Sequence, residues 1–196
     1  MPGHDHDHAP AYSGDDPIYR RALWAVIAIN GIMFIVELSA GITAKSMALQ
    51  ADALDFLGDS VTYALSLFVL AKPPMWRANA ALFKGISLAV LGLWVLGSTI
   101  WRVFVTGVPE AFIMGSVGLL ALAANVASVL ILMRFRSGDA NVESVWLCSR
   151  NDAIGNVAVV LAASGVFATG TAWPDLAVAA IMASLFLSSA VKITKQ

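Results

Sequence analysis

Residues 46–71 read SMALQADALDFLGDSVTYALSLFVLA, a run long enough to cross a bilayer as a helix that nonetheless carries three carboxylates. Asp52, Asp55 and Asp59 are spaced three and four residues apart. At about 100° per residue they fall within roughly 60° of one helical face. An acidic side chain near the bilayer centre costs at least about 2.5 kcal/mol on insertion scales, so that face points into a wet or cation-holding interior and not at lipid. The rest of the chain is read as the wall around that charge.

Composition supports a membrane setting. Of 196 residues, 59% are hydrophobic and only 13% charged, with a mean hydropathy of +0.78, well beyond the apolar share of a water-soluble domain. The one cysteine, Cys148, excludes an internal disulfide and any multi-cysteine metal cluster. A net charge of -1 and the lack of a basic cluster argue against nucleic acid as a partner. Residues 1–19 are polar and the apolar run after them is already of spanning length, so no signal peptide is expected and the first span serves as its own targeting signal. Pro73-Pro74, Pro109 and Pro174 separate apolar blocks, as helix-breaking residues do.

These blocks predict an all-α integral membrane protein with six transmembrane helices, at about 22–44, 46–71, 80–105, 110–133, 140–167 and 173–191. Residues 1–19 form a flexible arm in which His4, His6 and His8 alternate with Asp5 and Asp7. The arm is either a weak divalent-cation site or an acidic solubilising tail. Residues 20–196 form the transmembrane domain, with no soluble domain expected after the sixth span. Span one carries Asn30 and Glu37 and joins span two in a tight antiparallel hairpin. Span four carries Asn125 and Ser128, which either bond a neighbouring helix or line a hydrated path. Span five carries Glu143, Cys148, Arg150, Asn151, Asp152 and Asn156.

Six spans put both termini on one side. Arg20, Arg21, Lys72, Arg77, Lys84, Arg134, Arg136, Lys192 and Lys195 fall on that side, against Lys45 and Arg102 on the other. The positive-inside rule then makes the termini cytoplasmic, in a cell (inner or plasma) membrane.

Cys148 and Asp152 are four apart and share a face of span five, as Asp55 and Asp59 do on span two. Each of these helices is the second of its three-helix half and they run in opposite senses. That is the pattern of an inverted 3+3 repeat with a site at the repeat interface. If the two helices are adjacent, three carboxylates and one sulfur can surround a single ion. Four short anionic donors suit a tetrahedral divalent metal at roughly 2.0 to 2.3 Å. A thiolate tilts the preference toward Zn(II), Cd(II) or Co(II) and away from Mg(II) or Ca(II). Arg150 lies about 200° around the helix from both and is expected to face away, snorkelling or pairing with Glu143 or Glu37.

At these residues the chain resembles the cation diffusion facilitator family of metal/proton antiporters. SMALQADALDFLGD, LCSRNDAIGN and WPDLAVAAIMASLFLSSAVKI carry the likeness, which covers nearly all of residues 20–196. The family pattern is His or Asp, three residues, then Asp in span two, with His, three residues, Asp in span five. Asp55, Asp59, Cys148 and Asp152 occupy those positions, Cys148 standing where the family usually has histidine. Glu37, Asp52, Asn125 and Asn156 fall where the family commonly has polar residues, and Asn151 joins them as a candidate pathway residue.

The resemblance implies export of Zn(II), Cd(II) or Co(II) from the cytoplasm in exchange for protons. The metal is cargo and no cofactor is expected. It also implies a homodimer, here resting on helix surfaces in the lipid bilayer. A passive cation channel and a non-transporting metal sensor are the alternatives. An enzyme is not expected, since no histidine lies within the spans to activate Cys148.

Overall fold

The computed structural model describes residues 16–69, 74–105, 107–136 and 140–194. The expected arm, with His4, His6 and His8, lies outside the described residues. Six helices follow one another: α1 (Pro17–Thr43), α2 (Met47–Val69), α3 (Pro74–Phe104), α4 (Ala111–Leu132, extended by a 3-10 turn over Met133–Phe135), α5 (Ala140–Thr169) and α6 (Trp173–Thr194). Helix α1 begins at Pro17, so Pro17, Ile18 and Tyr19 belong to the helix and not to the arm. Asp16 caps it, its side chain accepting from the Ile18 N–H at 2.7 Å, and proline takes the first helical position, where its missing donor costs nothing.

Among the described residues, five helices have stretches long and apolar enough to cross a membrane: 17–43, 85–104, 111–135, 145–169 and 173–192. Helix α2 has the length, at 23 residues, but its aspartates keep it out of that group. It spans by being enclosed, packed against α1, α3, α5 and α6. Large apolar side chains such as Ile32, Ile35, Phe83, Val90 and Leu161 face outward, as a lipid-bathed surface requires.

The helix contacts repeat with a period of three. Helix α1 packs on α2 as α4 packs on α5, α2 meets α3 as α5 meets α6, and each helix touches its own counterpart, α1 with α4, α2 with α5 and α3 with α6. Helices α1, α2, α4 and α5 thus form a four-helix ring, and the extensively packed α3–α6 pair leans on it. An apolar cluster around Met47, Leu54, Met114, Val166 and Phe186 fills one end. A second, around Tyr19, Leu23, Tyr63, Leu132 and Phe135, fills the other. The buried polar side chains Glu37, Asp52, Asn125 and Asn156 of the four ring helices lie between them.

Two local devices set this register. Ala44 to Ser46 alone join α1 to α2, with Lys45 in the left-handed region at φ 56°. The Ser46 N–H reaches Gly41 O at 2.9 Å and the Lys45 N–H reaches Ile42 O at 3.2 Å, the paired bonds of a Schellman stop. Across the chain, Asp175 in the first turn of α6 caps α2. It accepts from Ser46 Oγ at 2.6 Å, Met47 N at 2.8 Å and Ala48 N at 3.0 Å.

Candidate metal centre

The α2–α5 contact places Asp55, Asp59, Cys148 and Asp152 on the wall of one cavity of ≈ 430 Å³. Asn151 and Gly155 of α5 share that wall, and Met182, Phe186, Ser189 and Lys192 of α6 close its other side. The carboxyls of Asp59 and Asp152 lie within hydrogen-bonding reach of each other, with Asp55 and Cys148 near enough to add to the negative field. One Asp152 oxygen, Oδ2, is buried and has no hydrogen-bond donor. Asp59 is held from behind, its Oδ2 accepting from the Tyr63 hydroxyl at 2.6 Å, and that hydroxyl also lies 3.4 Å from Ser149 Oγ.

The donors line the cavity without closing on a point. Among the described residues no three His, Cys, Asp or Glu groups converge as a metal-holding set. The four donors expected to hold one ion therefore share a cavity wall without being gathered as a ready-made ligand set. Like charges repel across the cavity, and α6 packs against both α2 and α5. Closing the set on an ion requires small side-chain or helix movements, which a cation would favour by neutralising the repulsion.

Asp52 does not line the cavity. It turns toward α1 and α5, where its Oδ2 accepts from Asn156 Nδ2 at 2.8 Å, and Asn156 Oδ1 in turn accepts from Asn125 Nδ2 at 2.8 Å. Glu37, fully buried, lies against Asp52 from α1. Asn125 therefore bonds a neighbouring helix, whereas Ser128 bonds back to Ala124 O of its own helix at 3.0 Å. Arg150 is exposed, sits over the Trp146 ring at 5.4 Å and reaches Asn151 Oδ1 at 3.4 Å. Of its two expected partners, Glu37 is engaged elsewhere and the Glu143 side chain lies outside the described ones.

Sequence reasoning missed Tyr63, Ser149, Lys192 and Asp175. Tyr63 follows Asp59 by four residues and Ser149 precedes Asp152 by three, so helical spacing alone marks both as neighbours of the site. Lys192 and Asp175 carry no such local signal, because α6 reaches α2 only through the tertiary fold.

A helical membrane domain whose second and fifth helices bring three carboxyl groups and a thiol to one cavity defines a class: a multi-pass protein built around an acidic cavity. Residues 23–196 match the cation efflux transmembrane domain, and the chain belongs to that family. It is 30% identical over 192 residues to the metal cation efflux system protein CzcD of Cupriavidus metallidurans, covering 92% of this chain and 58% of that one. It is 28% identical over 211 residues to a cadmium, cobalt and zinc/H(+)-K(+) antiporter of Bacillus velezensis, covering 98% of this chain and 64% of that one. It is 27% identical over 205 residues to the zinc transporter ZitB of Escherichia coli, covering 98% of this chain and 65% of that one. The chain thus spans less than two thirds of the length of these relatives.

Proposed function

We propose that this domain moves a divalent transition metal, Zn(II), Cd(II) or Co(II), out of the cytoplasm in exchange for protons, with Asp55, Asp59, Cys148 and Asp152 as the metal's ligands. The observation that carries the reading is the sharing of one cavity by those four side chains from two helices. The names of the relatives, which speak of metal efflux, zinc transport and antiport, support it.

Coupling arises from competition. Carboxylates and a thiol bind metal only when deprotonated, so each proton reaching the cavity weakens metal affinity, and each metal bound expels protons. The cavity extends along α6 to Lys192 near its C-terminal end, the side assigned to the cytoplasm by the distribution of basic residues. In this arrangement metal loads from the cytoplasm. Rocking of the α3–α6 pair against the ring would close that mouth and open the opposite one. A homodimer formed through lipid-facing helix surfaces is part of the same reading.

The test is a metal panel in proteoliposomes with a pH-sensitive dye inside. Zn(II) or Cd(II) uptake should saturate, be accompanied by opposite proton movement, run uphill on a proton gradient and vanish in Asp152→Asn. Unsaturable flux indifferent to the gradient would mean a channel, and tight binding without flux would mean a sensor.

A further inference from the structure

Glu37 is 0% exposed, and neither of its carboxyl oxygens has a hydrogen-bond donor in the structure. What it does have is the Asp52 carboxyl, within hydrogen-bonding reach across the α1–α2 interface. Asp52 is itself 2% exposed. The titratable groups that bear on Glu37 are both acidic, Asp52 and Asp55 of α2. Helices α4 and α5 present the amides of Asn125 and Asn156 here. Two facing carboxyls buried among apolar helices cannot both be satisfied by accepting, since neither brings a donor.

The two amides decide what is missing. Asn125 donates to Asn156 and Asn156 donates to Asp52 Oδ2, so the chain of donors runs one way and ends on Asp52. That favours Oδ2 as the anionic oxygen of Asp52 and leaves both Glu37 oxygens without a donor. A metal ion is disfavoured, because the nearest amide presents an N–H where a cation needs an oxygen. A proton between the carboxyls meets both needs at once.

We propose that Glu37 and Asp52 form a proton-binding site separate from the metal cavity, holding one proton between the two carboxyls and leaving one negative charge on Asp52. Loading makes one O–H bond and takes the pair from two negative charges to one, and nothing else changes covalently. Asp52 is three residues from Asp55, about 4.5 Å along the helix and away from the end where the termini lie. On the reading of metal–proton exchange given above, a proton entering from the far side meets this pair before it reaches the metal ligands. The site joins α1, α2, α4 and α5 in one hydrogen-bonded layer, so its occupancy is felt by the whole ring.

Infrared spectroscopy of the full chain in lipid nanodiscs near neutral pH tests this. A protonated buried carboxyl gives a carbonyl stretch distinct from a carboxylate, and the band moves on transfer to heavy water. The expected result is such a band in the wild type, lost in Glu37→Gln and in Asp52→Asn and retained in Asp152→Asn. Glu37→Gln should fold normally, because its amide is isosteric with the protonated acid and supplies the donor to Asp52 permanently. Asp52→Asn is read independently should Glu37→Gln not be monodisperse. No protonated-carboxyl band in the wild type, or a band indifferent to both substitutions, overturns the proposal. In parallel, Glu37→Gln should bind Cd(II) as the wild type does while losing Cd(II)-driven proton flux. Loss of Cd(II) binding to the extent seen in Asp152→Asn would show that the pair is not separate from the metal cavity. Should Asp152→Asn bind and transport metal normally, the metal assignment fails while the band result stands on its own.

Discussion

Ser46 and Asp175 are 129 residues apart in sequence and joined by a 2.6 Å hydrogen bond. The Asp175 carboxylate also takes the Met47 and Ala48 N–H groups, while Ser46 Oγ accepts from Leu49 N at 3.0 Å. An α6 side chain therefore supplies the cap that α2 cannot take from its own carboxylates, all of which lie further along. Asp175→Ala leaves buried donors without an acceptor and should cost about 2 kcal/mol. The expected outcome is a lowered melting temperature in detergent, with Asp175→Asn, which keeps one acceptor oxygen, intermediate. An unchanged melt would show that water replaces the cap at no cost.

Cys148 sets the softness of the proposed ligand set. Cys148→Ser replaces a thiolate by a harder and weaker donor, so Cd(II) binding should fall more than Zn(II) binding, while Cys148→His should shift preference toward Zn(II). Proton release gives a second reading. A thiol must give up its proton to bind metal as thiolate, whereas a serine hydroxyl does not ionise so readily. Cys148→Ser should therefore release fewer protons per Cd(II), measurable by calorimetry in buffers of different ionisation enthalpy. Equal losses for both metals with unchanged proton release would remove Cys148 from the ligand set.

The helices and their order could be read from sequence because each rests on a local signal, whereas the adjacency of α2 and α5 entered only as a condition. Apolar length gives the spans, proline the breaks, and the three- and four-residue spacings of Asp52, Asp55, Asp59, Cys148 and Asp152 the inward faces. What could not be read depends on distances between helices. Spacing puts Asp52 within about 60° of Asp55 and Asp59, yet Asp52 turns to Glu37 and Asn156 while the other two line the cavity. Only the crossing of α1 and α5 over α2 separates them. The approach of α6, which brings Asp175 to the start of α2 and Lys192 to the cavity, was hidden for the same reason.

Tyr63 tests how far Asp59 relies on support from behind. Its hydroxyl fixes one Asp59 oxygen at 2.6 Å, leaving the other to face the cavity. Partners that orient a ligand in this way commonly contribute roughly tenfold to metal affinity. Tyr63→Phe keeps the ring that packs with Leu23, Leu67 and Phe135, so the fold should hold while Cd(II) affinity falls by about that factor. Titration of purified protein with Cd(II) measures it. An affinity equal to wild type would mean that Asp59 is oriented by its own rotamer or does not bind metal.

Gly41 controls the approach of α1 to α2 and with it the alignment of Glu37, one turn earlier, on Asp52. A Cβ at Gly41 would lie 2.9 Å from Gln50 Cγ, 3.0 Å from Gln50 N and 3.2 Å from Leu49 Cβ. The backbone nitrogen cannot swing aside as a side chain can, and Gln50 is further pinned by bonds from its Nε2 to Gly41 O at 3.1 Å and Ser46 O at 3.0 Å. Gly41→Ala must therefore push the helices apart, at a cost of about 1 to 3 kcal/mol, and lengthen the contact between the two carboxyls. A lower melting temperature together with a shifted or broadened protonated-carboxyl band is expected. Gly97→Ala provides the control, since nothing lies within 4 Å of its Cβ position and helix propensity alone should make it neutral or stabilising. A Gly41→Ala protein as stable as Gly97→Ala would show that the α1–α2 hairpin yields at this point, and that its close approach does not position Glu37.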